Sequence, residues 1–134
     1  MPLVIRWRAA ASAGLIAVAT VTGSGSLPAQ VATPDARPYD ERLQRLAEIL
    51  GSVHFLRELC GNTDGQMWRD RMRELMDAEG SSAARRARMT RSFNNGYRSY
   101  SRTYKTCTPS AQTAITRFLA EGADIAERLA RNTP

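Results

Sequence analysis

Few residues of this chain are of types that perform acid–base, nucleophilic or metal chemistry. Its 134 residues include one histidine, His54, and two cysteines, Cys60 and Cys107. No Cys-x-x-Cys or His-x-x-x-His spacing occurs, so no transition-metal site is expected. A carboxylate-only cation site stays open, although Asp64 and its neighbours lack the alternating acidic loop of an EF-hand. Phosphate-loop, dinucleotide and Gly-x-Ser-x-Gly patterns are absent, so we predict no cofactor and no catalytic residue.

Two polar residues fall at the inner edge of the first predicted helix and form a candidate buried polar site. His54 lies in mid-helix, where a half-buried histidine bonded to a neighbour competes with an acid–base role beside a carboxylate. Arg57 lies about 40° from the centre of the apolar stripe, so its charge must be paired or reach outward. We expect a partner on the second helix such as Asp70 or Glu74. The alternative is an anchor for a ligand carboxylate or phosphate.

Arginine dominates the charge of the chain. The sequence has 19 basic and 13 acidic residues, a formal net charge of +6, and Lys105 is its single lysine. No acidic residue occurs between Gly80 and Ala120, whereas residues 35–79 hold ten acids and seven bases. The basic residues of the acid-free segment are Arg85, Arg86, Arg88, Arg91, Arg98, Arg102, Lys105 and Arg117.

Five of these basic side chains share one face of the third predicted helix, opposite Phe93 and Tyr100. One interpretation is a solvated face that pairs with acids of the first two helices. A second is a surface for an anionic partner, because arginine binds carboxylates and phosphates through two parallel hydrogen bonds. Nucleic acid, the third, is not expected for an exported protein. The five residues are Arg88, Arg91, Arg98, Arg102 and Lys105.

The N-terminal segment has the organisation of a Sec-type secretory signal peptide. Two arginines occur within residues 1–8, an uncharged stretch follows over 9–23, and small residues come next. We expect cleavage after Ala29, with Ser26 as an alternative. An uncleaved anchor is the rival interpretation, but the apolar run is shorter than the roughly 20 residues that span a membrane. The predicted organisation is a signal peptide over 1–29, a flexible proline-containing linker over 30–38 and a helical domain over 39–131.

Both cysteines remain after the expected cleavage, which leaves a periplasmic or secreted protein without a transmembrane segment. In an oxidising compartment an even pair of cysteines favours a disulfide between Cys60 and Cys107. Closing a loop of this length stabilises a fold by about 4 kcal/mol in the chain-entropy model. Two buried free thiols are the alternative.

Four amphipathic helices are predicted beyond the linker, and no strand pattern competes with them. Gly51, Gly96 and Gly122 interrupt these helices, which indicates either close approach of a neighbouring helix or a local kink. Phe55 and Leu59 fall off the main stripe of the first helix, which therefore packs on more than one side. The helices are expected from about Asp40 to Cys60, from Asp64 to Glu79, from Ser82 to Thr106, and from Pro109 onward with Thr108 as its cap.

The positions of the cysteines favour one topology. Cys60 closes the first predicted helix and Cys107 the third. Helices one and three are parallel in an up-down-up-down bundle, so their C-terminal ends lie together. We therefore predict an all-α four-helix bundle with one disulfide, in which both cysteines point inward.

Several stretches of the chain resemble a family of small exported proteins of alphaproteobacteria, a domain of unknown function. The similarity covers nearly all of residues 39–130. It implies an exported protein and supplies no activity, cofactor, ligand or catalytic residue. The stretches are Tyr39–Gly51 (YDERLQRLAEILG), His54–Gly61 (HFLRELCG), Trp68–Arg69, Arg85–Arg88 (RRAR), Phe93–Tyr100 (FNNGYRSY) and Thr103–Thr108 (TYKTCT).

The functional expectation is a non-enzymatic periplasmic or envelope-associated protein. It would bind a protein or an anionic envelope component through the basic side chains of the third helix. A small helical chaperone or stress protein, with an exposed apolar groove for unfolded clients, is the first alternative. An envelope hydrolase or transferase that uses His54 as acid or base is the second.

Overall fold

The computed structural model describes residues 35–132. The predicted signal peptide, its cleavage site and the first part of the predicted linker lie outside this range. Four helices and no strand occur within it, as predicted, and none of these helices has the length and apolarity needed to cross a membrane. The helices are α1 Asp40–Leu59, α2 Gly65–Glu79, α3 Ala83–Thr103 and α4 Pro109–Asn132.

Helix α1 is the centre of the bundle and packs against the other three. Its sequence is apolar on more than one side, so it can bury two faces at once. Leu43 and Ala47 pack with Met72 of α2 and Met89 of α3. A larger cluster joins the remaining apolar side of α1 to α4 and consists of Leu46, Ile49, Val53, Leu56, Ala111, Ile115, Phe118 and Ile125.

The chain follows the predicted up-down-up-down course. At one end of the bundle Arg85, near the start of α3, bonds to Asp40 at the start of α1. At the other end Cys60 and Cys107, just beyond α1 and α3, form a disulfide with 4.8 Å between their Cα atoms. Helices α1 and α3 are therefore parallel, and α2 and α4 run in the opposite direction. Both the bundle and the Cys60–Cys107 bridge are confirmed.

Two glycines explain how closely α1 and α3 approach. A Cβ atom on Gly51 would collide with the carbonyl oxygen of Phe93 and lie 2.8 Å from its carbonyl carbon. A Cβ on Gly96 would collide with the carbonyl oxygen of Glu48 and lie 2.7 Å from Oγ of Ser52. The two backbones touch here, so close approach, and not a kink, accounts for these glycines.

The end of α3 differs from the prediction. The helix stops at Thr103, because Tyr104 adopts extended backbone angles (φ −109°, ψ 126°). The Lys105 ammonium donates to the carbonyl oxygen of Ser101 at 2.6 Å, which occupies one of the free carbonyls of the last turn. The backbone that follows leaves the helix axis, so Cys107 is exposed instead of pointing inward.

The starts of α3 and α4 are capped as their sequences suggest. The Ser82 hydroxyl accepts a hydrogen bond from the backbone amide of Arg85 at 3.1 Å. The Thr108 hydroxyl accepts one from the amide of Ala111 at 3.1 Å, and Pro109 takes the first helical position. Each cap satisfies an amide that would otherwise lack a helical partner.

Candidate functional site

The five predicted basic residues occupy the outer side of α3 and its C-terminal extension, and we call them the arginine face. Arg88 is half-buried and the other four are exposed. At 1.5 Å per residue, the distance along the helix from Arg88 to Arg102 is about 21 Å. The arginine face consists of Arg88, Arg91, Arg98, Arg102 and Lys105.

None of these five side chains forms a salt bridge with a carboxylate of residues 35–132. Lys105, just beyond α3, donates from its ammonium to a backbone carbonyl of the last turn of α3. The charge of Arg88 acts on an acid without a salt bridge: hydrogen bonds from Ser82 and Ser81 lower the pKa of Asp35, and the charges of Arg85 and Arg88 add to that effect. The pairing with acids of α1 and α2 that one interpretation requires is therefore not formed.

Most of the twelve described arginines outside this face behave differently, although Arg37, Arg42, Arg69 and Arg117 also form no salt bridge within residues 35–132. Eight of them bond to a carboxylate, including Arg85 and Arg86 in the first turn of α3. Most acids of α1, α2 and α4 are thereby paired with other arginines, and none is paired with a residue of the arginine face, which leaves the positive potential of that face uncompensated by direct contacts. The eight paired arginines are Arg45, Arg57, Arg71, Arg73, Arg85, Arg86, Arg128 and Arg131.

Arg85 has a structural role that sequence reasoning missed. Its side chain is 2% exposed and bonds to the Asp40 carboxylate at 2.5 Å and to the Glu79 carboxylate at 3.3 Å. Its guanidinium carbon also lies 5.8 Å from the ring centre of Tyr39. This network joins the starts of α1 and α3 to the end of α2. The up-down topology itself was the available signal, because it brings these three helix ends together.

His54 is fully buried, with 1% of its surface exposed. Its Nε2 accepts a hydrogen bond from Nε of Arg69 at 2.9 Å. An arginine only donates, so the neutral ring carries its proton on Nδ1, for which residues 35–132 provide no hydrogen-bond partner. The ring packs against Phe93 and Tyr97, with centroid distances of 6.0 and 5.5 Å.

The electrostatics of His54 favour its neutral form. Burial lowers the pKa of His54 below its ordinary value of 6.5. The Arg69 charge lowers this pKa as well, whereas the Glu58 carboxylate, 4.0 Å from Nε2, acts in the opposite direction. His54 is therefore an uncharged acceptor near pH 7, and the partner it holds is Arg69.

Arg57 does not meet the carboxylates that we expected on α2. Its Nε donates to a carboxylate oxygen of Asp64 at 2.9 Å, and its Nη2 lies 2.6 Å from the same oxygen. The prediction of Asp70 or Glu74 was wrong, because the short connection brings Asp64 to the end of α1 while those two acids bond to arginines of α2 itself. The hydrogen bond from Arg57 lowers the pKa of Asp64.

Two sizeable depressions lie between the described helices. The α2–α4 groove has a volume of about 360 Å³ and an almost wholly apolar lining that includes Leu46, Ile49, Trp68, Leu75, Phe118 and Leu119. The α2–α3 cleft has a volume of about 350 Å³ and a mixed lining that includes Arg69, Met72, Met76, Thr90, Phe93 and Asn94. Neither depression includes His54 in its lining.

Fold and charge together define a small disulfide-closed helical domain with an unpaired arginine face. Over residues 35–132 no three histidine, cysteine, aspartate or glutamate side chains converge as metal ligands. The chain belongs to the family described as Protein of unknown function (DUF2385), whose sequence model matches residues 38–132. No curated protein and no solved structure matches it. The resemblance to a family without assigned function is confirmed, and the function has to be argued from the side chains.

Proposed function

We propose that this domain is a non-enzymatic binding protein of the cell envelope that holds an anionic partner through the arginine face. One observation carries the proposal: the arginines that share this face of one helix all lack a carboxylate partner in the described chain, whereas eight of the twelve other described arginines have one. An exposed guanidinium with both edges free binds a carboxylate or phosphate through two parallel hydrogen bonds. Three exposed arginines and the half-buried Arg88 on one helix form an extended surface, which can contact more than one anionic group.

The dimensions of the arginine face indicate a large partner. A row about 21 Å long can contact several anionic groups at once, as an acidic protein surface or an anionic envelope polymer would offer. Charges at this degree of exposure steer and orient a partner more than they tighten it, so salt should weaken the complex. The phosphates of a nucleic acid would also suit this row of positive charges, but an exported protein is separated from the nucleic acids of the cell.

Two features support the envelope as the location. The sequence of residues 1–29 has the pattern of a cleaved signal peptide. The Cys60–Cys107 bridge belongs to the class of disulfides that persist in oxidising compartments such as the periplasm or the cell exterior.

Photo-cross-linking in living cells tests the proposed partner surface. A photoreactive amino acid replaces Asn95, an exposed residue within the arginine face, or Ala120, an exposed residue of α4. We expect an adduct from position 95 and none from position 120. The double substitution R98E/R102E should abolish the adduct, whereas R128E/R131E, which alters net charge equally, should preserve it. An adduct that persists in R98E/R102E, with an unchanged circular dichroism spectrum, would contradict the proposal.

A chaperone-like activity is a second candidate, favoured by the α2–α4 groove. Its lining is apolar and Leu119 at its edge is 38% exposed. Suppression of aggregation of a thermally unfolding client enzyme measures this activity. The L119E variant should lose suppression and A120E, its exposed neighbour outside the groove, should keep it. No suppression by the unmodified protein would remove this candidate.

An acid–base role for His54 has the least support. A general base must come within hydrogen-bonding reach of the substrate proton. The Nε2 atom of His54 is occupied by Arg69, and the side chain is buried behind the cleft lining. The test is an activity screen that compares H54Q with the unmodified protein. Turnover that is lost in H54Q would support the hydrolase alternative.

A further inference from the structure

The α2–α3 cleft combines an apolar floor with polar groups at its edge. Met72, Met76 and Phe93 supply the apolar part, and the polar part comes from Arg69, Arg73, Thr90 and Asn94. Its volume of about 350 Å³ lies within the range of ordinary small-molecule sites. Methionine side chains adapt their shape to an irregular ligand at little cost. The cleft therefore suits a molecule with an apolar body and one polar end.

Arg69 is the group in this cleft that stands apart from its neighbours. Arg73 also lines the cleft, but its charge is paired with Asp70, and Arg71 of the same helix is paired with Glu74. Arg69 forms no salt bridge within residues 35–132, and its Nε instead donates to the buried His54. That bond occupies only the Nε side of the guanidinium, so the terminal nitrogens keep donors for an anion.

Arg69 is held in position by His54, a buried residue that does not line the cleft. Its partner His54 is 1% exposed and packs against the rings of Phe93 and Tyr97. Because the acceptor cannot move, the Arg69 guanidinium is held in one orientation, and less rotamer entropy is lost when a ligand binds. The Asn94 side chain has no hydrogen-bond partner in the described chain and can add a donor or acceptor.

We propose that the α2–α3 cleft binds a small organic carboxylate, with its carboxylate on Arg69 and its apolar body on Met72, Met76 and Phe93. His54 is a positioning residue in this site and does not touch the ligand. The site is separate from the arginine face and does not depend on the function proposed for it.

A matched pair of probes tests the site. 4-Phenylbutanoate and 4-phenylbutan-1-ol share an apolar body and differ in the carboxylate. NMR titration of the purified protein should show saturable binding of the acid, with shifts at the Asn94 side-chain amide and the Met72 and Met76 methyl groups. The alcohol should bind roughly tenfold more weakly, since one charge-assisted contact is lost. Equal affinities for the two probes would overturn the proposal.

Substitutions separate the cleft from other charged surfaces. R69Q should weaken binding of 4-phenylbutanoate by about tenfold, whereas R71Q, on the same helix, should bind it as the unmodified protein does. R98E/R102E should also bind it normally, which distinguishes this site from the partner surface. Unchanged binding by R69Q, or equal loss in R71Q, would contradict the assignment.

The role of His54 has its own measurement. H54Q retains a hydrogen-bond acceptor for Arg69 and should keep most of the affinity, whereas H54L should lose about as much as R69Q. In the unmodified protein the affinity should also fall at acid pH, because a protonated His54 cannot accept a hydrogen bond from Arg69. The other titratable groups that face the His54 ring are Glu58 and Tyr97. Binding that stays constant while the histidine signal titrates would contradict the positioning role.

Discussion

At the scale of single residues, the surroundings of each arginine decide what it does. Arg85 is buried and neutralised by two carboxylates, so it serves the fold. Arg69 is held by a neutral histidine and keeps its charge available. Arg98 and Arg102 are exposed and meet no carboxylate in the described chain. Composition alone makes these residues equivalent, and only their neighbours separate a structural arginine from one that can bind a partner.

Loss of Arg85 should destabilise the domain strongly. R85M leaves the Asp40 and Glu79 carboxylates, each 18% exposed, without their shared cation. Breaking a buried ion network in this way costs about 3–5 kcal/mol of unfolding free energy. Urea unfolding followed by circular dichroism measures the change. R91M, an exposed substitution on the same helix, should shift stability by less than about 0.5 kcal/mol. Similar effects of the two substitutions would contradict the role given to Arg85.

His54 should make stability depend on pH over a narrow window. Its pKa is lowered from 6.5 by burial, so the unfolded chain binds the proton more tightly than the folded one. Stability is then full above about pH 6.5 and falls as the pH drops toward the folded-state pKa, by at most about 1.4 kcal/mol per pH unit. His54 is the single histidine. H54Q should therefore flatten the unfolding free energy between about pH 5 and 7; an unchanged slope would contradict the buried neutral ring.

At the scale of helices, the contact between α1 and α3 is set by residues without side chains. Gly51 and Gly96 let the two backbones touch near the middle of the bundle. Gly122 faces only the side chains of α1, where a Cβ would lie 3.3 Å from Cγ2 of Ile49. The first two positions therefore tolerate no added methyl group, whereas the third can accommodate one by a small shift.

Alanine substitutions should separate these glycines. G96A should cost about 3 kcal/mol or more, because the new methyl overlaps the Glu48 carbonyl and forces the helices apart. G122A should be close to neutral, since a gain in helix propensity of about 1 kcal/mol offsets the tighter packing. Thermal unfolding of both variants measures the difference. A G96A protein as stable as G122A would contradict the close approach of α1 and α3.

The elements were predictable because they rest on local patterns. Apolar spacing marked all four helices, and Thr108 with Pro109 marked the start of α4. The end of α3 was misplaced because Tyr104 continues the aromatic stripe although its backbone is extended. Helical periodicity alone does not reveal this change from helical to extended backbone, which depends on the turn that leads to the disulfide.

The contacts between elements were less predictable. The carboxylate partner of Arg57 was expected on α2. Arg57 instead pairs with Asp64, which lies in the connection before α2. The bond between Arg69 and His54 joins residues fifteen apart on two helices, and nothing in either helix selects that pair from several alternatives. The sequence fixes which face a residue occupies, and packing between helices decides which neighbour it meets.

At the scale of the whole molecule, charge and topology combine. The disulfide and the Arg85 network hold opposite ends of the parallel pair α1 and α3. This arrangement keeps the outer side of α3 facing solvent. Helix α3 has no acidic residue of its own, and most acids of the other helices are paired with other arginines. The arginine face is therefore a property of the entire fold, because its positive potential depends on where every other carboxylate is engaged.

Retention on immobilised heparin, a sulfated polyanion, tests the central claim most directly. R98E/R102E and R128E/R131E change the net charge equally, but only the first alters the arginine face. We predict that R98E/R102E elutes at roughly half the salt concentration that the unmodified protein needs, while R128E/R131E elutes close to it. Equal shifts for the two folded variants would show that net charge alone governs binding, and would contradict the arginine face as a specific anion-binding surface.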